Sequence, residues 1–217
     1  MANDLLQSAI GFGIKEVADV AFYPAGSIDV NTSGEIVMAA DYVLPEGVEE
    51  LTPLMILDTL KVSTIENTAE QADAKGGKGN APLIIWDYGR EITISLQDAV
   101  LSNKTLSMMF EGDVSNADNE IVISANTFPG TYSVVGRTFA RDAKTGADRL
   151  FTWYVPKAKV NSEVTLTMEA EGDPTVFDMN LRVLRTSDGT MVKLIRADEE
   201  LQAGSYKVDE TFAVKKN

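Results

Sequence analysis

A chain of 217 residues, 44% of them hydrophobic, is long enough to bury one large β core, and no apolar run approaches the roughly 20 residues of a membrane helix. It has neither cysteine nor histidine, which excludes disulfides, Ser-His and Cys-His nucleophiles and His-ligated metal centres. With 19 basic against 33 acidic residues, a net charge of -14, the chain does not grip a phosphate backbone by counterion release.

Residues 1–15 are mildly apolar and broken by glycine, and Gly11-Phe12-Gly13 reads as an arm that packs on something else. Met1-Ala2-Asn3-Asp4 has no basic n-region and no apolar h-region follows, so no signal peptide is expected; the lack of cysteine fits synthesis in a reducing cytoplasm. Glu16 to Tyr23 reads as a strand stopped by Pro24-Ala25-Gly26. Ile28 to Val30 and Glu35 to Tyr42 flank the turn Asn31-Thr32-Ser33-Gly34, a hairpin signal. Pro45 to Pro53 is an acidic connection with room for a short helical turn.

The stretch from Leu60 to Gly112 organises the rest. Val62, Thr64 and Glu66 alternate with Ser63 and Ile65 as in a strand. Asn67 to Asn80 has alanine as its only apolar type and holds Lys75-Gly76-Gly77-Lys78-Gly79, so it reads as a long projecting loop ended by Pro82. A strand follows through Leu83-Ile84-Ile85-Trp86 and resumes at Ile92 to Leu96, with Gly89 marking a bulge inside it. Asp98 is the expected N-cap of a helix running to Phe110, buried on more than one side and stopped by Gly112. A strand, a loop and a helix of this kind make a scaffold with an arm, which points to assembly.

Glu120 to Ala125 reads as a short strand. Tyr132 to Arg141 and Arg149 to Val155 make the clearest hairpin, with Gly146 where a positive φ is needed. Glu163 to Ala170 is a further strand, and Val176 to Thr186 pairs with Met191 to Arg196 around Ser187-Asp188-Gly189. Residues 197–217 read as a partly extended C-terminal segment. About ten strands joined by hairpins, with one helix, predict a mainly β fold: a single antiparallel β-sandwich or barrel domain over 1–217 with one flanking α-helix and a long projecting loop at 67–82.

Three stretches carry a resemblance: the Lys-Gly-Gly-Lys-Gly-Asn run before Pro82, the strand Ile84 to Leu96 with Trp86-Asp87-Tyr88-Gly89, and the helix ending at Phe110. Together with Phe177 to Val183 and on to Lys193, they resemble the tail tube (major tail) proteins of bacteriophages over roughly residues 58–196. The resemblance implies a structural virion protein of the phage tail, made in the bacterial cytoplasm. It further implies a homo-oligomer of six-fold rings, stacked into a tube and contacting other tail proteins. DNA passes through the lumen without specific binding; no membrane, cofactor or catalysis is involved. On this reading Asn67, Glu70, Asp73, Lys75, Gly76, Gly77, Lys78, Gly79 and Asn80 form the subunit interface, with Phe12 and the two end segments as secondary contacts.

Other chemistry is weaker in the sequence. Gly76-Gly77-Lys78-Gly79 is followed by Asn80-Ala81-Pro82 and a strand, not by Ser or Thr opening a helix, so a phosphate-binding loop is not expected. Asp113 to Glu120 places Ala117 and Asp118 where a calcium loop needs an oxygen ligand and glycine, and a solvated turn is the better reading; Glu169, Glu171 and Asp173 read the same way. No metal or catalytic residue is assigned. Trp86, Trp153 and Tyr154 read as core or subunit contacts, and Met108-Met109-Phe110 as helix packing. The alternatives are another ring-forming tail component, such as a hub or terminator, a monomeric carbohydrate-binding β-sandwich, and lastly a hydrolase built on paired carboxylates.

Overall fold

The computed structural model describes residues 11–14, 19–76, 81–98, 102–110, 113–115, 120–123, 125–126, 128–161, 177–200 and 212–215. The N-terminal part holds β1 (Phe12–Ile14), β2 (Asp19–Pro24), β3 (Ile28–Val30), β4 (Ile36–Met38), β5 (Glu50–Leu51) and β6 (Met55–Leu57). Two long strands follow, β7 (Leu60–Gly76) and β8 (Ala81–Asp98), then the helix α1 (Asn103–Phe110) and the short pair β9 (Asp113–Ser115) and β10 (Glu120–Val122). The remainder is β11 (Thr131–Asp142), β12 (Asp148–Val160), β13 (Phe177–Val183), β14 (Lys193–Glu200) and β15 (Val214–Lys215). The excess over the expected strand number comes from two- and three-residue pieces such as β1, β5 and β15.

The main sheet is antiparallel, in the order β6-β2-β11-β12-β13-β8-β7, with β1 added to β11 and β14 to β12. Its middle strands are covered on both faces. Val20, Phe22, Val134, Trp153 and Val155 belong to one apolar cluster, while the alternate residues Ala21, Tyr23, Val135 and Tyr154 belong to a second. Two covered faces explain why these strands read as unbroken apolar runs, whereas β13 alternates strictly, Phe177, Met179, Leu181 and Val183 inward and Asp178, Asn180 and Arg182 outward. Fully burying a side chain the size of Phe22 or Phe177 contributes about 1.5–3 kcal/mol. The second cluster is closed by β3, β4 and residues 212–214, packed as another layer. Two buried tyrosines cross that seam: the Tyr23 hydroxyl donates to the Phe212 carbonyl and the Tyr154 hydroxyl to the Ile28 carbonyl. Burial drives both phenols well above their ordinary pKa, so both keep their protons in the folded protein even at pH values where an exposed tyrosine ionises.

Three expectations change. First, residues 67–76 are not a loop: they continue β7, laddered to β8 from Asn67↔Ile92 to Gly76↔Ala81 with register shifts between Thr68 and Glu70 and between Ala74 and Lys75. Residues 77–80 of the expected loop lie outside the described residues. Second, Asp98 does not cap the helix. It is buried in the last rung of β8, opposite Leu60 and Phe177, and accepts a hydrogen bond from the Thr59 hydroxyl. Ser102 is the cap instead, its Oγ accepting from the Thr105 amide at 3.0 Å. Third, α1 buries one side only, Thr105, Met108 and Met109 at i, i+3 and i+4, with the methionines in the first cluster. The acidic connection before Pro53 contains turns and β5 but no helical turn, and the strand expected over 163–170 lies outside the described residues.

The β3–β4 and β11–β12 hairpins follow expectation, but the one expected between Val176–Thr186 and Met191–Arg196 does not form: β13 and β14 both lie antiparallel along β12, β13 at Ala158–Val160 and β14 at Arg149–Tyr154, and residues 184–192 are an excursion between them. Gly146 has φ +72, and the Asp142 carboxylate accepts from the amides of Lys144 (2.8 Å) and Thr145 (2.9 Å), which hold its carboxyl below the usual range. In the β13–β14 connection the Thr186 and Thr190 hydroxyls and the Thr190 amide all converge on Asp188, whose pKa falls to about 2. This contribution to stability is complete above the unfolded value, about pH 4, and disappears as pH falls from there through about 2. Thermal melts between pH 5 and 2 will therefore show a shallower loss of Tm in Asp188→Asn than in the unaltered chain; parallel curves would refute the assignment.

Candidate functional site: the β7–β8 ribbon

β8 has two neighbours only at its root. It pairs with β13 from Phe177↔Asp98 to Arg182↔Thr93, and beyond Thr93 its partner among the described residues is β7 alone. β7 in turn ends the strand order, and no strand among the described residues pairs with its outer edge. A two-stranded ribbon therefore leaves the sheet at Thr68 and Glu91 and extends on the order of 30 Å, at about 3.3 Å per residue, to Gly76 and Ala81.

Ladder pairs place the side chains of the ribbon. Ile84, Trp86 and Tyr88 share one face with Ala74, Ala72 and Glu70, their cross-strand partners. The other face carries Ile85 and Asp87 against Asp73 and Gln71; the Gln71 amide donates to Asp87 at 2.9 Å, and Lys75 pairs with Asp73 at 3.3 Å. One face is thus an apolar strip with small alanines beside it. Ile84 is 51% exposed, Trp86 53% and Tyr88 53%. A two-stranded ribbon is marginal in water without a covered face.

A bulge decides which face is apolar. Thr68 opposes Glu91 and Glu70 opposes Tyr88, so β8 carries one extra residue at Gly89-Arg90, with Gly89 at φ +61. Ile92, Ile94 and Leu96 point into the first cluster, and unbroken alternation would send Tyr88, Trp86 and Ile84 the same way. The extra residue inverts them. They continue instead the side that at the root carries Ser95, bonded to Asn180 at 2.8 Å, and Gln97, bonded to Asp178 at 3.0 Å. Below the bulge this side is polar and above it apolar. Gly89→Val forces a branched residue into the left-handed region, at a cost of about 1–2 kcal/mol. Its expected result is hydrogen exchange roughly 5- to 30-fold faster at Gln71 to Ala74, with the amides of β11 unchanged.

The expected interface residues fall as follows. Asn67, Glu70, Asp73, Lys75 and Gly76 all lie in β7 on the ribbon, and Gly77, Lys78, Gly79 and Asn80 are outside the described residues. Phe12 sits apart from the ribbon, in β1 paired with β11 of its own chain; it packs on Phe151 at 5.8 Å and lies under the Arg196 guanidinium at 5.4 Å. Sequence reasoning left Ile84, Trp86 and Tyr88 out of the interface set; the signal that finds them is the parity change at Gly89. Trp153 and Tyr154 are core, and Trp86 is not. Among the described residues no cluster of acids is arranged to hold a metal ion, and no helix is long and apolar enough to cross a membrane.

The fold is thus a mainly β, antiparallel one from whose sheet a long ribbon with one apolar face projects. Residues 36–117 and 111–196 match the YomU/Tube protein family, and the chain belongs to that family of phage tube-like proteins. No curated protein matches the chain.

Proposed function

We propose that this protein is the subunit of a phage tail tube, assembling into rings, six-fold in symmetry, that stack around a channel for DNA. The observation that carries the reading is the ribbon: an exposed Ile84-Trp86-Tyr88 strip beside a β7 edge that has no partner strand among the described residues. Strand addition to that edge satisfies its unpaired amides and carbonyls, and closure of a ring removes the exposed edges altogether. Family membership supports the same reading. The role is mechanical and involves no catalysis. An acid excess of the whole chain, -14, keeps phosphates from adhering to a channel wall.

Negative-stain microscopy of the full chain across a concentration series, with light scattering, tests this directly. Rings or hollow tubes with six-fold end views are expected. In parallel, the emission of Trp86, isolated in Trp153→Phe, shifts to the blue as the scattering species form, because the indole leaves water. Assembly without that shift would remove the strip from the interface. One observation favours a second reading: Trp86 and Tyr88 lie together on one exposed face, as in a carbohydrate-binding module. A chain monomeric at every concentration that retains a glycan, and loses it in Trp86→Ala, would replace the tube.

A further inference from the structure

At the root of the ribbon, where β12 and β13 end beside the bulge, lies a cleft of about 680 Å³. Among the described residues its rim carries Arg90, Lys159, Arg182 and Arg185 against one carboxylate, Glu91. Its floor is apolar, with Val160, Val183, Leu184 and Met191. Of the four cations, Arg182 alone pairs with an acid among the described residues, Glu91 at 3.0 Å. Backbone bonds from Asn161 N to Asn180 O at 2.7 Å and from Leu184 N to Lys157 O at 2.8 Å fix the walls. In a chain of net charge -14, a rim with this cation surplus is built to receive an anion.

The same chain carries a complement on the other side of the sheet. Between Lys15 and Lys61 there is no lysine or arginine at all, so every charge in β2 to β6 and their connections is negative. β6 and β2 form the edge opposite β8 and β7. Beside them, Pro45-Glu46-Gly47-Val48 makes a tight turn, closed by the Val48 amide on the Pro45 carbonyl at 3.1 Å, with Gly47 at φ +84. The turn exposes Glu46, Glu49 and, at 41%, Val48, while Leu44 and Leu51 anchor it in the second cluster.

We infer that the cationic cleft of one subunit receives the acidic turn Pro45–Glu49 of the next, which makes the subunit contact head-to-tail and gives it a direction. Carboxylates meet the rim and Val48 meets the apolar floor. Two different surfaces of one chain joined in this way generate rings when the rotation closes. The inference rests on the tube reading and adds to it the pair of surfaces and the charge that selects them. Because the rim is exposed, the contact weakens as salt screens it.

The test uses the full chain. Zero-length carbodiimide coupling in a mixture of isotopically light and heavy protein joins Lys159 of one copy to Glu46 or Glu49 of another, mapped by mass spectrometry. Arg90→Glu with Arg182→Glu raises the concentration needed for assembly at least tenfold at low salt, and so does Glu46→Lys with Glu49→Lys. Mixing the two variants restores assembly, since each turn then finds an opposite rim. Tubes that form without the cross-link and are indifferent to both variants overturn the cleft and leave the tube reading standing. Protein that neither assembles nor cross-links between copies overturns both. Retention of double-stranded DNA at the same salt, abolished by the arginine reversals, would assign the cleft to nucleic acid and also overturn the proposal.

Discussion

Replacing Ile84, Trp86 and Tyr88 together by serine yields a folded monomer that no longer assembles. The three side chains lie on the solvent-exposed face of the ribbon and contribute nothing to the two core clusters, so the melting temperature of the unassembled domain stays within about 2 °C of the parent. The loss falls on association. Large aromatic anchors at subunit contacts are worth about 2 kcal/mol or more each, and every 1.4 kcal/mol is tenfold in affinity. The concentration at which scattering appears rises by at least about 100-fold. Sedimentation velocity with circular dichroism on the same samples separates the two effects. Full assembly of the triple variant would show that the strip is mere surface, and a melted β signal would show that it serves the fold.

The second large effect lies in the core. Gly136 in β11 stands opposite Trp153 in β12, and the indole covers it so closely that an added Cβ would fall 2.0 Å from Trp153 Cε2. Trp153 is 3% exposed and packed in the first cluster, so the ring has no space to retreat. Gly136→Ala therefore overpacks a rigid site, at a cost of about 3 kcal/mol, or roughly 6–12 °C in a domain of this size. Trp153→Leu is destabilising by itself through the cavity it opens. Combined with Gly136→Ala, however, it costs less than the sum of the two, because the clash is gone. Calorimetry on the four proteins of the cycle measures the coupling; strict additivity would mean that the indole moves aside freely.

How much of this was legible follows from the origin of each signal. Phe177, Met179, Leu181 and Val183 alternate over a half-buried strand, and the β11–β12 hairpin announces itself through its turn residues, so both could be read locally. Residues 67–76 could not. Asn, Asp and Ala have poor strand propensity, and what holds them extended is the ladder to an apolar partner strand, from Asn67↔Ile92 down to Gly76↔Ala81. The same ladder draws Asp98 into the sheet and moves the helix start to Ser102. For the site, the arm was visible as a polar glycine-containing stretch, and Gly89 as a bulge. The strip on it was not, because Ile84, Trp86, Tyr88, Ile92, Ile94 and Leu96 share one parity in the sequence and only the three-dimensional register divides them. The cleft joins residues from three strands and a connection, a juxtaposition that no local pattern encodes.

The bond from the Tyr23 hydroxyl to the Phe212 carbonyl spans 189 positions of the chain. During synthesis the second cluster stays open until Phe212 and Val214 leave the ribosome, however early the first hairpins form. Closure of the domain is thus a late event, and β5 acquires its partner β15 at the same moment. A nascent chain that still lacks residues 212–215 therefore leaves this layer uncovered, however complete the main sheet is by then.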